Sequence, residues 1–193
     1  MLTRQISVLA LLTVSVALTP TEVACAQKSS LPVNKDRAVQ EVHVRSSPGW
    51  LEAVSDEGTF RILFPGKPTV GGDAVSLKGF KLVEPERKWV AYYTDFEQPM
   101  PNDEAYLRNA YHRSVEAITK DGKRLLAQRD VLLNGRLGSE FVIDGPNLVS
   151  YMRAFVAGRR MYTLSVDQKK TNGAGTLIPA DVQQFFASFT YWD

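Results

Sequence analysis

Apolar and polar positions alternate with a period of two over much of the chain after Pro48, and this pattern predicts strands. Trp50 to Val54 is a short strand, and Asp56-Glu57-Gly58 turns the chain. Phe60, Ile62 and Phe64 then alternate with Thr59, Arg61 and Leu63, a second strand that Pro65-Gly66-Lys67-Pro68 ends. Val75 to Glu84 and Trp89 to Asp95 form a hairpin around Pro85-Glu86-Arg87-Lys88. In the second arm Trp89, Ala91 and Tyr93 share one face, and Val90, Tyr92 and Thr94 the other. Apolar residues on both faces predict a central strand covered on both sides.

The period then changes. Leu107, Tyr111, Val115 and Ile118 follow one another at helical spacings, one apolar stripe on a helix over Asn102 to Asp121. Asn102 is its expected N-cap, Asp103 and Glu104 suit the positive end of the dipole, and Gly122 suits the C′ position. A meander of four strands follows: Lys123 to Leu133, Leu137 to Asp144, Leu148 to Ala157 and Met161 to Asp167. Its first turn, Asn134-Gly135, is the strongest short hairpin signal; Asp144-Gly145-Pro146-Asn147 and Gly158-Arg159 make the others. After a polar loop over Lys169 to Gly175, Pro179 opens a second helix whose Val182, Phe185, Phe186 and Phe189 lie at i, i+3, i+4 and i+7. Strands grouped together rather than alternating with helices predict an α+β fold, an antiparallel β-sheet packed by two helices.

The N-terminus has a different character. Arg4 precedes the apolar run Ile6 to Leu18, and Ala24-Cys25-Ala26 supplies small residues at the −3 and −1 positions, so residues 1–26 read as a signal peptide cleaved after Ala26. The apolar run is too short to span a bilayer, and no later stretch approaches the ~20 apolar residues a transmembrane helix needs. Cys25 has two readings: it leaves with the signal peptide, or it is the lipid-accepting cysteine of a bacterial lipoprotein, which alone would anchor the chain to a membrane. In either case an intramolecular disulfide is excluded, because the chain of 193 residues holds one Cys. Gln27 to Ser47, which contains His43, is polar and poor in aromatics, the composition of a disordered linker. Residues 48–193 then form a single domain. A formal net charge of +2 is too small to make nucleic acid an expected partner, since such proteins usually carry a concentrated basic face.

Several short motifs point further. Phe60-x-Ile62-x-Phe64-Pro65-Gly66-Lys67-Pro68 follows a short Trp-containing strand. Gly138-Ser139-Glu140-Phe141, a strand with Arg153, Gly158-Arg159-Arg160-Met161-Tyr162-Thr163-Leu164, and a helix ending Phe185-Phe186-Ala187-Ser188-Phe189 come after it. From Trp50 to the end the chain resembles a group of exported bacterial proteins of unknown function whose fold is similar to that of the PsbP, Mog and DcrB proteins. The resemblance implies an antiparallel sheet between helices, and an accessory or binding role more than an enzymatic one.

The chemistry agrees with that implication. There is no Gly-x-Ser-x-Gly, His-Glu-x-x-His, Cys-x-x-Cys, phosphate loop or dinucleotide fingerprint, so no catalytic residue, metal ligand or cofactor is assigned. His112, beside Tyr111 on the first helix, reads as a surface or half-buried histidine; a triad would need Ser114 or Ser139 against it. Glu140 and Arg153 are the most informative pair. If their strands pair across the Asp144–Asn147 turn, both point to one sheet face. They then form either an ion pair that pins the register or a polar site in which Arg153 holds a carboxylate or phosphate. Arg159, Arg160, Lys169 and Lys170 at the ends of the last strand, and Lys78, Lys81, Arg87 and Lys88 at the first hairpin, are either solvated turns or a docking surface. Trp89, Tyr92, Tyr93, Tyr151, Tyr162, Phe185, Phe186 and Phe189 are either core or the lining of a groove, and Trp192 is expected to be exposed.

The expected protein is therefore a periplasmic or secreted binding or accessory domain for an unknown protein or small-molecule ligand, with Glu140, Arg153, Arg160 and Tyr162 as its candidate binding residues. A lipid-anchored envelope structural protein and a small carboxylate-dependent hydrolase are the alternatives.

Overall fold

The structure, a computed structural model, describes residues 49–71, 78–120, 122–170 and 176–192. The expectations for the signal peptide, Cys25, the linker with His43, the start of the strand at Val75 and the end of the first helix at Asp121 fall outside these residues.

In chain order the elements are β1 (Leu51–Ser55), β2 (Phe60–Phe64), β3 (Thr69–Gly71), β4 (Lys78–Val83), β5 (Arg87–Asp95), α1 (Glu104–Ile118), β6 (Arg124–Leu133), β7 (Arg136–Asp144), β8 (Leu148–Ala157), β9 (Arg160–Lys169), α2 (Ala180–Ala187) and β10 (Thr190–Tyr191). Seven strands make one sheet in the order β3-β4-β5-β9-β8-β7-β6, and three make another in the order β1-β2-β10. Every strand pair is antiparallel. The expected β4–β5 hairpin and β6-to-β9 meander are both present, and β5 is an interior strand beside the central β9, with Trp89 to Tyr93 all buried. What joins them is α1. It carries the chain from the end of β5 to the far edge at β6, and the meander returns strand by strand until β9 pairs with β5.

The first strands do not enter the large sheet. Phe60, Ile62 and Phe64 are fully buried while Arg61 is exposed. A strand with one apolar face belongs in an outer layer, and β1, β2 and β10 form that layer. With α2 they cover one face of the large sheet, burying Phe80, Trp89, Tyr93, Phe155, Tyr162 and Leu164 against Phe64, Phe185, Phe186 and Phe189. Phe60 lies at the centre of this core, edge-on to Phe80, Tyr93 and Tyr162 with ring centroids 5.8, 6.2 and 5.9 Å away. The α1 stripe of Leu107, Tyr111, Val115 and Ile118 covers the other face over Leu137, Phe141, Ile143, Ala154 and Val156.

Three local expectations need correction. The α1 cap is Asp103, whose carboxylate accepts from the Tyr106 N–H at 2.8 Å, and not Asn102. The helix stops at Thr119, whose hydroxyl donates to the Val115 carbonyl at 2.8 Å; a side chain competing for that carbonyl favours an end there, so Gly122 lies beyond the cap. Phe189 lies past the C-cap of α2, Ser188, yet its ring still enters the core.

Candidate functional site

The four candidate residues lie on the face of the large sheet that α2 and the small sheet cover, in two separate groups. Glu140 on β7 stands directly opposite Arg153 on β8. It also stands directly opposite Arg129 on β6. Both follow from the turns: a hairpin loop fixes its register, and Leu133 facing Arg136 sets Arg129 against Glu140. Glu140 is 2% exposed. Arg153 Nε donates to Glu140 Oε2 at 3.0 Å, and Arg129 Nε binds Oε1. On its other side the Arg153 guanidinium lies over the Phe186 ring, 4.8 Å from the centroid. The order along this row is Arg129, Glu140, Arg153, with α2 pressing on the last. Both oxygens of the carboxylate are occupied by guanidinium donors, so the arrangement is an ion pair that fixes register and ties α2 to the sheet.

Arg160 and Tyr162 form the second group, two residues apart on β9. Arg160 holds Asp95 bidentately, Nε to Oδ1 at 2.6 Å and Nη2 to Oδ2 at 3.1 Å. Its Nη1 donates to the Glu57 carbonyl at 3.0 Å and the Thr59 hydroxyl at 3.3 Å. The guanidinium lies 4.3 Å from the centre of the Tyr93 ring. The Tyr162 hydroxyl donates to the Gly58 carbonyl at 3.1 Å and lies 3.1 Å from Thr59 Oγ1. Together they clamp the β1–β2 turn, which also has the Gly58 N–H on Ser55 Oγ at 2.9 Å. Thr59 sits at φ +50, a left-handed conformation unfavourable for a β-branched residue. The clamp on its hydroxyl, with the Trp192 N–H on its carbonyl at 3.1 Å, holds it there. Burial raises the Tyr93 phenol above its usual range, reinforced by the Glu57 charge and opposed by Arg160. Sequence reasoning missed Thr59, Asp95 and Tyr93 as members of this group. Asp95 faces Arg160 across β5–β9, a pairing no local turn reveals.

The remaining candidates disperse. Lys78 pairs with Glu57 at one end of β4, while Arg87, at the other end of the hairpin, pairs with Asp181 of α2. Lys169 pairs with Glu86 at 3.3 Å and Lys170 with Asp144 at 2.6 Å. The lysines and arginines of the first hairpin therefore do not form one patch. The eight aromatic residues weighed as core or groove lining are all buried, and Trp192 is exposed. His112 is exposed beside Glu116 at 3.5 Å. Ser114 donates to the Ala110 carbonyl and Ser139 accepts from Gln128, so neither serine faces His112. Among the described residues no three His, Cys, Asp or Glu side chains gather as metal ligands, and no helix is long and apolar enough to cross a membrane.

Comparison with solved structures gives the architecture a reference. The solution structure of cyanobacterial PsbP (CyanoP) from Synechocystis sp. PCC 6803 superposes with a TM-score of 0.58 at 10% sequence identity, covering 76% of this chain and 95% of that one. The fold is PsbP-like. No protein-family model matches the chain, and no curated protein does. Within the PsbP-like fold the quoted motifs acquire physical reasons. Gly138 leaves room for Phe155: a Cβ there would lie 2.4 Å from that ring and 2.6 Å from the Ala154 carbonyl. Glu140 is the ion-pair centre, and Arg160 and Tyr162 are the turn clamp.

Proposed function

We infer that the protein is an exported, non-enzymatic binding or accessory domain, delivered by the signal peptide over residues 1–26. The PsbP-like fold supports this reading at the level of the whole molecule, because the related proteins named by the sequence resemblance act more as accessory or binding proteins than as enzymes. The observation that carries it is the state of the polar candidates. Glu140, Arg153, Arg160 and Tyr162 are all engaged with partners of their own chain, which suits scaffolding rather than turnover. A general acid or base needs a proton path to substrate, and Glu140 is enclosed between two arginines. Exposed apolar side chains such as Val83 and Leu177 are available for contact.

Two measurements test the reading. Crosslinking in the native host, compared between the unaltered chain and Val83→Lys with Leu177→Lys, should give a partner adduct that the substitutions weaken. A panel of ester, phosphate and glycoside substrates should show no turnover. Hydrolysis that disappears in a folded Glu140→Gln variant would replace the binding reading with the carboxylate-enzyme one.

A further inference from the structure

β6 closes the large sheet on one side and, among the described residues, has no strand beyond it. Free edges invite pairing with another chain, and proteins blunt them with short strands, proline, bulges and charges. The opposite edge, β3, has three residues. β6 has ten, without proline, and its bulge lies near its start, between Leu125 and Ala127. Its two central charges are engaged within the chain: Arg129 holds Glu140, and Asp130 accepts from Arg108 Nε at 2.8 Å. Leu132 is 72% exposed.

The strand is also self-complementary. Read antiparallel about Arg129, Ala127 meets Val131, Gln128 meets Asp130 and, past the bulge, Leu125 meets Leu132. The β6–β7 register puts each of these pairs on a single sheet face. Ala127, Arg129 and Val131 share the side of Val142, Glu140 and Gly138; Leu125, Gln128, Asp130 and Leu132 share the side of Ile143, Phe141, Ser139 and Leu137. Antiparallel pairing therefore needs no side chain to change face, and it sets apolar residues against apolar residues and an amide against a carboxylate. The adverse contact is Arg129 against its own copy, and each guanidinium is drawn back from the seam by Glu140 on the strand behind it.

We propose that β6 is a homodimerisation edge: it pairs antiparallel with β6 of a second copy, centred on Arg129, and joins the two large sheets into one. This goes beyond the partner-binding reading and does not depend on it. A seam of one strand is smaller than a standard interface, so the affinity belongs in the micromolar range.

Sedimentation equilibrium of the purified full chain should give a concentration-dependent monomer–dimer mixture. Leu132→Lys opposes a charge to Leu125 of the copy and should raise Kd by about tenfold or more, with an unchanged circular dichroism spectrum. Val70→Lys, an exposed apolar site on β3 at the opposite edge of the sheet, should leave Kd unaltered. Under oxidation, Ala127→Cys combined with Val131→Cys should give a crosslinked dimer beyond that of the unaltered chain. A monomer at all concentrations, a dimer indifferent to Leu132→Lys, or no added crosslink at the cysteine pair overturns the proposal.

Discussion

Glu140 is the one buried charged residue of β7, and it is accompanied there by two arginines of very different exposure. Arg153 is mostly buried, whereas the Arg129 side chain is 64% exposed. The same carboxylate therefore makes one strong and one screened interaction. Glu140→Ala leaves Arg153 under α2 without its counter-charge, and breaking a buried pair from one side costs about 3–5 kcal/mol. Arg129→Ala removes a screened partner and should cost about 1 kcal/mol or less. Urea unfolding of the two variants gives the contrast; equal losses would contradict the assignment. A second residue-scale expectation concerns alkali. Burial, opposed by the Thr163 hydroxyl and aided by the Asp167 charge, pushes the Tyr92 phenol from 10.0 up to about 12. In the unfolded chain this phenol loses its proton near 10, while the native state keeps it. The associated stability is thus complete below pH 10 and falls as the pH rises from 10 through about 12. Tyr93 and Tyr111 are raised by burial in the same direction. The urea midpoint should fall above pH 10, and Tyr92→Phe should make the fall shallower; an unchanged slope would mean that Tyr92 does not titrate late.

At the scale of elements, the features legible in the sequence are those set by neighbouring residues. Asn134 and Gly135 have φ +52 and +74, the two left-handed residues of a type I′ turn. From that turn the Arg129–Glu140 register can be counted directly, as the Glu140–Arg153 register can from the next one. Gly135→Ala forces a Cβ into the left-handed region and should cost about 1–2 kcal/mol, seen as a lower urea midpoint. Where two neighbours suit one role, local pattern cannot choose between them. Asn102 and Asp103 are both good caps, and only backbone geometry shows that Asp103 holds the Tyr106 N–H. Asp103→Ala should therefore cost about 1 kcal/mol and Asn102→Ala close to nothing, a difference thermal unfolding resolves. β3 and β10, with three and two residues, were not legible at all, because strands this short exist only through the partners that tertiary packing brings to them.

For the whole molecule, the antiparallel sheet packed by helices could be read from the grouping of strands, but the order of layers could not. The hint was present in the contrast between β2, apolar on one face, and β5, apolar on both; it separates an outer from a middle layer. The closing pair, β5 with β9, depends on where α1 delivers the chain, and hence so does the meeting of Asp95 with Arg160. The proposed export is tested at the N-terminus of the chain. The proposed signal peptide rests on the short apolar run from Ile6 to Leu18. Intact-mass spectrometry of the protein from separated soluble and membrane fractions of its host should find a chain beginning at Gln27 in the soluble fraction, which places its partners in the soluble phase. A chain beginning at Cys25 with acyl groups, recovered with membranes, would instead make Ala26 to Ser47 a tether and direct the search for partners to the envelope.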